Sequence, residues 1–96
     1  MEIVLLVELK NVNKVKDIVL KDPVISLATI TFKDGKAINK DNFYIYISGL
    51  EEQCKKAIEL TKDLAKPLEG KEKEEIISII KEEESRAVEG FGSIFG

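Results

Sequence analysis

Side chains able to do metal or covalent chemistry are few in this chain, and they fall in three places. Asp34, Asn39 and Asp41 lie within one short polar stretch, and Glu82, Glu83 and Glu84 run consecutively near the C-terminus. Carboxylate and amide oxygens are the ligands that calcium and magnesium take. Asp34, Asn39 and Asp41 are therefore the candidate metal set, with calcium the candidate ion of a ligand-binding alternative. The stretch lacks the D-x-[DN]-x-[DN]-G pattern of an EF-hand, and Lys33, Lys36 and Lys40 stand among its acids and repel a cation. Consecutive glutamates on a helix point in different directions, so Glu82–Glu84 read as a solvated face. Cys54 is the single cysteine. A start-of-helix position beside Lys55 would lower its pKa, but it falls between Leu50 and Ile58 on an apolar stripe, where cysteine behaves as a small hydrophobe. The chain has no histidine, which excludes the usual zinc sites and any Ser-His-Asp or Cys-His group within one chain. Neither glycine-rich phosphate loop is present: Gly90-Phe91-Gly92 follows a helix-like run, whereas a phosphate loop precedes one. Nothing nominates a catalytic residue, and the expectation is a protein that binds and does not catalyse.

The aromatic residues point to contacts. Tyr44 and Tyr46 alternate with Phe43, Ile45 and Ile47, so the tyrosines share one strand face and the apolar trio the other. Two of the four phenylalanines sit in the closing Gly90-Phe91-Gly92-Ser93-Ile94-Phe95-Gly96. Aromatic side chains are favoured anchors of protein interfaces. The candidate partner-binding residues are thus Val4, Leu6, Tyr44 and Tyr46 on a sheet face and Phe91, Ile94 and Phe95 in the tail. The tail either docks on its own core or on another chain.

The elements that must position these residues follow from periodicity. Ile3–Leu9 reads as a strand whose polar face is apolar in its middle, at Val4 and Leu6. Asn11–Leu20 reads as a helix with Val12, Val15, Ile18 and Val19 on one side, ended by Asp22-Pro23. Val24–Lys33 is β-branched and reads as a strand, with Ala28, Ile30 and Phe32 toward the core. Asp34-Gly35 turns the chain into the strand Asn42–Ser48. Ser48-Gly49-Leu50-Glu51 has capping-box spacing and opens a helix ended by Pro67. A last helix spans about 72–88, with Ile76, Ile77, Ile80, Ala87 and Val88 as its stripe and Gly90 as its cap.

The order β-α-β-β-α-α implies an α+β fold: a three-stranded antiparallel sheet with helices on one face. Residues 1–90 form a single domain and 91–96 a Gly/Phe-rich tail. A short fourth strand from the tail would bring the plan to the ferredoxin-like β-α-β-β-α-β order. The charged last helix, Glu82-Glu83-Glu84-Ser85-Arg86, and the Phe95-Gly96 ending resemble those of small uncharacterised archaeal α+β proteins. That resemblance implies no activity and assigns no site residue. With helices on one side, the face carrying Val4, Leu6, Tyr44 and Tyr46 stays open, and an open half-apolar face is an interaction site. A homodimer is the simplest occupant. Net charge −3 argues against nucleic acid. No run approaches the ~20 apolar residues that span a bilayer, and Ile3–Val7 is too short and too acid-flanked for a signal peptide; a cytoplasmic protein is expected. Abundant Lys, Glu and Ile with one glutamine lean toward a thermophile.

Overall fold

The apolar middle of the first strand decides the architecture. A computed structural model describes the backbone of residues 1–95 and the side chains of residues 1–85. The elements run β1 (Glu2–Val7), α1 (Val12–Lys21), β2 (Thr29–Asp34), β3 (Phe43–Ser48), α2 (Glu51–Thr61), β4 (Ala65–Pro67) and α3 (Gly70–Phe95), with short 3-10 turns before α1, β2 and β3. Among the described residues the four strands form one antiparallel sheet in the order β2-β3-β1-β4. The first six elements have the split β-α-β connectivity of ferredoxin-like folds, with α3 appended.

Both sheet faces are covered, which corrects the expectation of helices on one side. Ile3, Leu5 and Val7 of β1 and Phe43, Ile45 and Ile47 of β3 face Val15 and Val19 of α1 and Cys54 and Ala57 of α2. Ile30 and Phe32 of β2 pack at the margin of this layer. On the opposite face Val4, Tyr44 and Tyr46 are buried against Ile76 and Ile80 of α3 and against Leu68, with Leu6 and Ile77 half-buried beside them. A strand apolar on both sides needs cover on both sides, and α3 supplies the second.

The fourth strand is a further correction. It is Ala65–Pro67 and not the tail, and the extra helix follows it. Leu64-Ala65-Lys66 lacks β-branched residues and continues the apolar spacing of α2, so local propensity favours helix. The outer edge of β1 decides otherwise: Leu5, Leu6 and Val7 take Pro67, Lys66 and Ala65 as antiparallel partners. Proline is tolerated there because β4 is an edge strand. The helix α2 accordingly stops at Thr61, whose hydroxyl donates to the Ala57 carbonyl at 2.6 Å.

Local details differ too. Leu50, not Ser48, is the residue before α2, and Gln53 Oε1 accepts its amide N–H at 2.8 Å. Gly70 opens α3 at φ 65°, a left-handed conformation that suits glycine. The backbone of α3 runs to Phe95, so Gly90 does not end it. The side chains of Phe91, Ile94 and Phe95, with the other side chains of the expected 91–96 tail and all of Gly96, lie outside the described residues.

Candidate functional site

Val4, Tyr44 and Tyr46, expected on an open face, are 0%, 2% and 5% exposed. The structure brings them together, but beneath α3. Burial pushes both phenols above their ordinary pKa. The Tyr46 hydroxyl donates to Glu2 Oε2, and this bond, more than any other influence, holds the Glu2 carboxyl below the usual carboxylate range. Lys81 of α3 completes the contact at 3.3 Å from Glu2. Two further ion pairs fasten α3 to the rest of the fold: Lys40–Glu75 at 3.4 Å and Lys33–Glu83. The tyrosine face is thus an intramolecular interface with an apolar centre and a charged rim.

The acid-rich loop is spent on its own turn. Asp34 accepts the Lys36 amide N–H at 3.0 Å and caps the short 3-10 turn Gly35–Ile38. Asn39 closes that turn in the left-handed region, at φ 59°. Among the described residues no group of three or more Asp, Glu or Cys side chains is arranged to hold a metal ion. Cys54 is fully buried, its thiol directed to the carbonyls of Met1 and Ile47 at 3.6 and 3.9 Å. Burial raises its pKa, the reverse of what a nucleophile requires. Asp22 is another structural acid: it accepts the amides of Val24 and Ile25 at 2.9 and 3.0 Å and pairs with Lys56 at 2.9 Å.

Two shallow grooves, of ≈ 260 and ≈ 500 Å³, flank β4. Lys62, Asp63 and Lys66 border one, and Lys66, Glu69 and Glu72 the other. Charges of both signs alternate along them, so neither offers a field of one sign. Among the described residues no helix is long and apolar enough to cross a membrane.

The sheet's two edges contrast. The β4 edge has three residues, one of them Pro67 and one Lys66. Short strands, proline and lysine are the usual means of blunting an edge. The β2 edge is six residues long, Thr-Ile-Thr-Phe-Lys-Asp, regular throughout, and among the described residues it pairs only with β3. Its apolar side is firmly set. Phe32 and Phe43 have ring centroids 6.3 Å apart, and the Lys16 ammonium of α1 lies 5.1 and 5.0 Å from the two rings. Cation–π contact of this kind favours one arrangement of the edge. On its other side, Lys33 turns to Glu83 of α3 and its side chain is only 12% exposed.

Sequence reasoning assigned Ile30 and Phe32 to the core and did not identify β2 as an edge. Edge position depends on strand order, which no local pattern states. The signal was the β-α-β-β opening itself, because a split β-α-β places the second strand outermost. No protein-family model matches the chain, and no curated protein or solved structure matches it significantly.

Proposed function

We propose that this protein is an interaction module that works by strand addition at the outer edge of β2. One observation carries the reading: the two sheet faces are filled by the chain's own helices and the β4 edge is blunted, whereas β2 is long, regular and, among the described residues, unpaired on its outer side. Every second N–H and C=O along such a strand lacks a sheet partner, and an extended segment that supplies them gains main-chain hydrogen bonds directly. The preset positions of Phe32 and Lys33 lower the ordering cost that binding would otherwise incur. The reading replaces the open tyrosine face with an edge and keeps a non-catalytic role. The aromatic C-terminal residues Phe91, Ile94 and Phe95 stay in the proposal as added anchors, on their sequence alone.

Residue-resolved amide exchange tests the edge. In dilute solution, alternate amides of Thr29–Asp34 should exchange nearly as fast as those of an unstructured chain, while β1 and β3 amides stay protected. Protection of all six β2 amides in a dilute monomer would mean that the edge is already covered, and the proposal would fail.

A further inference from the structure

We infer that the partner at this edge is a second copy of the chain, paired antiparallel through β2 about a two-fold axis at Thr31. The inference rests on the edge reading above and adds the partner and the register.

Directly opposed residues of an antiparallel pair lie on the same sheet face. When a strand pairs with its own copy, the two-fold axis must therefore pass through a residue and not between two. Thr29–Asp34 offers few such centres. An axis at Thr31 sets Ile30 against Phe32 of the second copy, Thr31 against its own counterpart, and Thr29 against Lys33 of the second copy. An aromatic opposite a β-branched residue and Thr opposite Thr are both favourable cross-strand pairs. The same register sets Asp34 opposite Ala28, so no like charges face one another. Shifting the axis to Phe32 would set Asp34 against the apolar Ile30. Shifting it to Ile30 would leave Phe32 opposite Ala28 and carry Lys33 past the paired segment.

The disposition of Lys33 supports self-pairing. A lysine on an edge strand ordinarily repels an incoming strand. Here its ammonium is drawn toward Glu83 of α3, which neutralises it and leaves the edge backbone unguarded. Two copies joined in this way form one eight-stranded sheet, within the usual size range. The α1–α2 layers then lie on one face and the α3 helices on the other. The interface is isologous, the commonest arrangement in soluble oligomers.

Sedimentation equilibrium and site-directed disulfides test this together. With Cys54→Ala removing the native thiol, Thr31→Cys, Thr29→Cys and Lys33→Cys variants are oxidised mildly. Opposed residues have Cβ atoms about 4.5–5.5 Å apart, near disulfide reach, so Thr31→Cys should link two chains whereas the other two should not. The otherwise wild-type protein should sediment as a dimer, and Thr31→Lys, which opposes two ammonium groups, should weaken association by on the order of tenfold. Linking at 29 or 33 in place of 31, or a dimer indifferent to Thr31→Lys, overturns the proposed pairing. A monomer at all concentrations with freely exchanging alternate β2 amides overturns the second-copy inference and leaves the edge available to another partner. A monomer with every β2 amide protected overturns the edge reading as well, and would assign that edge to the chain's own residues after Arg86.

Discussion

Replacing Ile80 by alanine should loosen α3 and expose the tyrosines in one step. Ile80 is 1% exposed and packs in the cluster with Val4, Tyr44 and Tyr46. Truncating a buried isoleucine to alanine costs about 2–5 kcal/mol. For a domain of this size each kcal/mol moves Tm by about 4–8 °C, so the expected fall is roughly 8–40 °C. The conservative Ile80→Val should cost only about 0.5–1.5 kcal/mol. Leu27→Ala, at a side chain 79% exposed, should change stability by no more than about 0.5 kcal/mol. The assay has a clean reporter, because the chain has two tyrosines, both beneath α3, and no tryptophan. Phenolate absorbance should show both titrating above the ordinary value of about 10, with burial the leading cause. Burial that favours the neutral phenols contributes stability in full below the unfolded-state pKa and loses it as pH rises through the folded-state values. Ile80→Ala should move the phenolate midpoint back toward the ordinary value and, because less of the shift remains, make the alkaline loss of stability shallower even as Tm falls at every pH. An unchanged Tm together with tyrosines that titrate normally in the wild-type protein would refute the packing of α3 on this face.

Three further outcomes are expected. Asp22→Ala should lower Tm more than Asp22→Asn, since asparagine keeps an acceptor for the Ile25 and Val24 amides while both lose the charge facing Lys56. The Asp22 pKa is depressed, chiefly by the Ile25 amide, so its contribution is present above its ordinary pKa and lost as pH falls through the folded value; acid titration of Tm should be shallower in both variants. Gly35→Ala should cost about 1–3 kcal/mol by overpacking, measured by urea denaturation, because a Cβ there would lie 1.9 Å from the Asn42 carbonyl oxygen. Truncation after Glu89 should leave the far-ultraviolet spectrum of the sheet and the first two helices intact and weaken self-association; equal association with and without the C-terminal residues would remove Phe91, Ile94 and Phe95 from the interface.

Strong local patterns were legible in the sequence. The alternation of Phe43, Ile45 and Ile47 against Tyr44 and Tyr46 specified β3 and the side each residue takes, and Val15 and Val19 specified the buried face of α1. What escaped depended on pairing. Ala65–Pro67 reads as the end of a helix until the exposed edge of β1 is known to need a partner. The tyrosine face reads as open until α3 is known to cross it, although Val4 and Leu6 already marked β1 as a strand buried on both sides. The acids Asp34 and Asp41 suggested a ligand set, but a carboxylate next to a turn often binds its own backbone, and Asp34 does so. The candidate edge, Thr29–Asp34, overlaps the strand expected at Val24–Lys33, whose first part is instead a 3-10 turn at Ile25–Leu27, and it could not be read as outermost without the order of the sheet.

The position of β1 has a consequence for how the protein is made. β1 is central in the sheet, yet it is made before the other three strands, carrying the apolar run Ile3–Val7. Its first strand partner is β3, and its last, Pro67, follows about sixty residues later. At about 5–20 residues per second, that run waits roughly 3–12 s for its last strand partner, and longer for Ile76 and Ile80 of α3 to cover Val4. A β-prone apolar segment exposed for seconds is what nascent-chain chaperones bind and what aggregates in their absence. Glu2 and Glu8 bracket the run with charge, and in the waiting chain they act as gatekeepers before Glu2 is recruited to the finished fold.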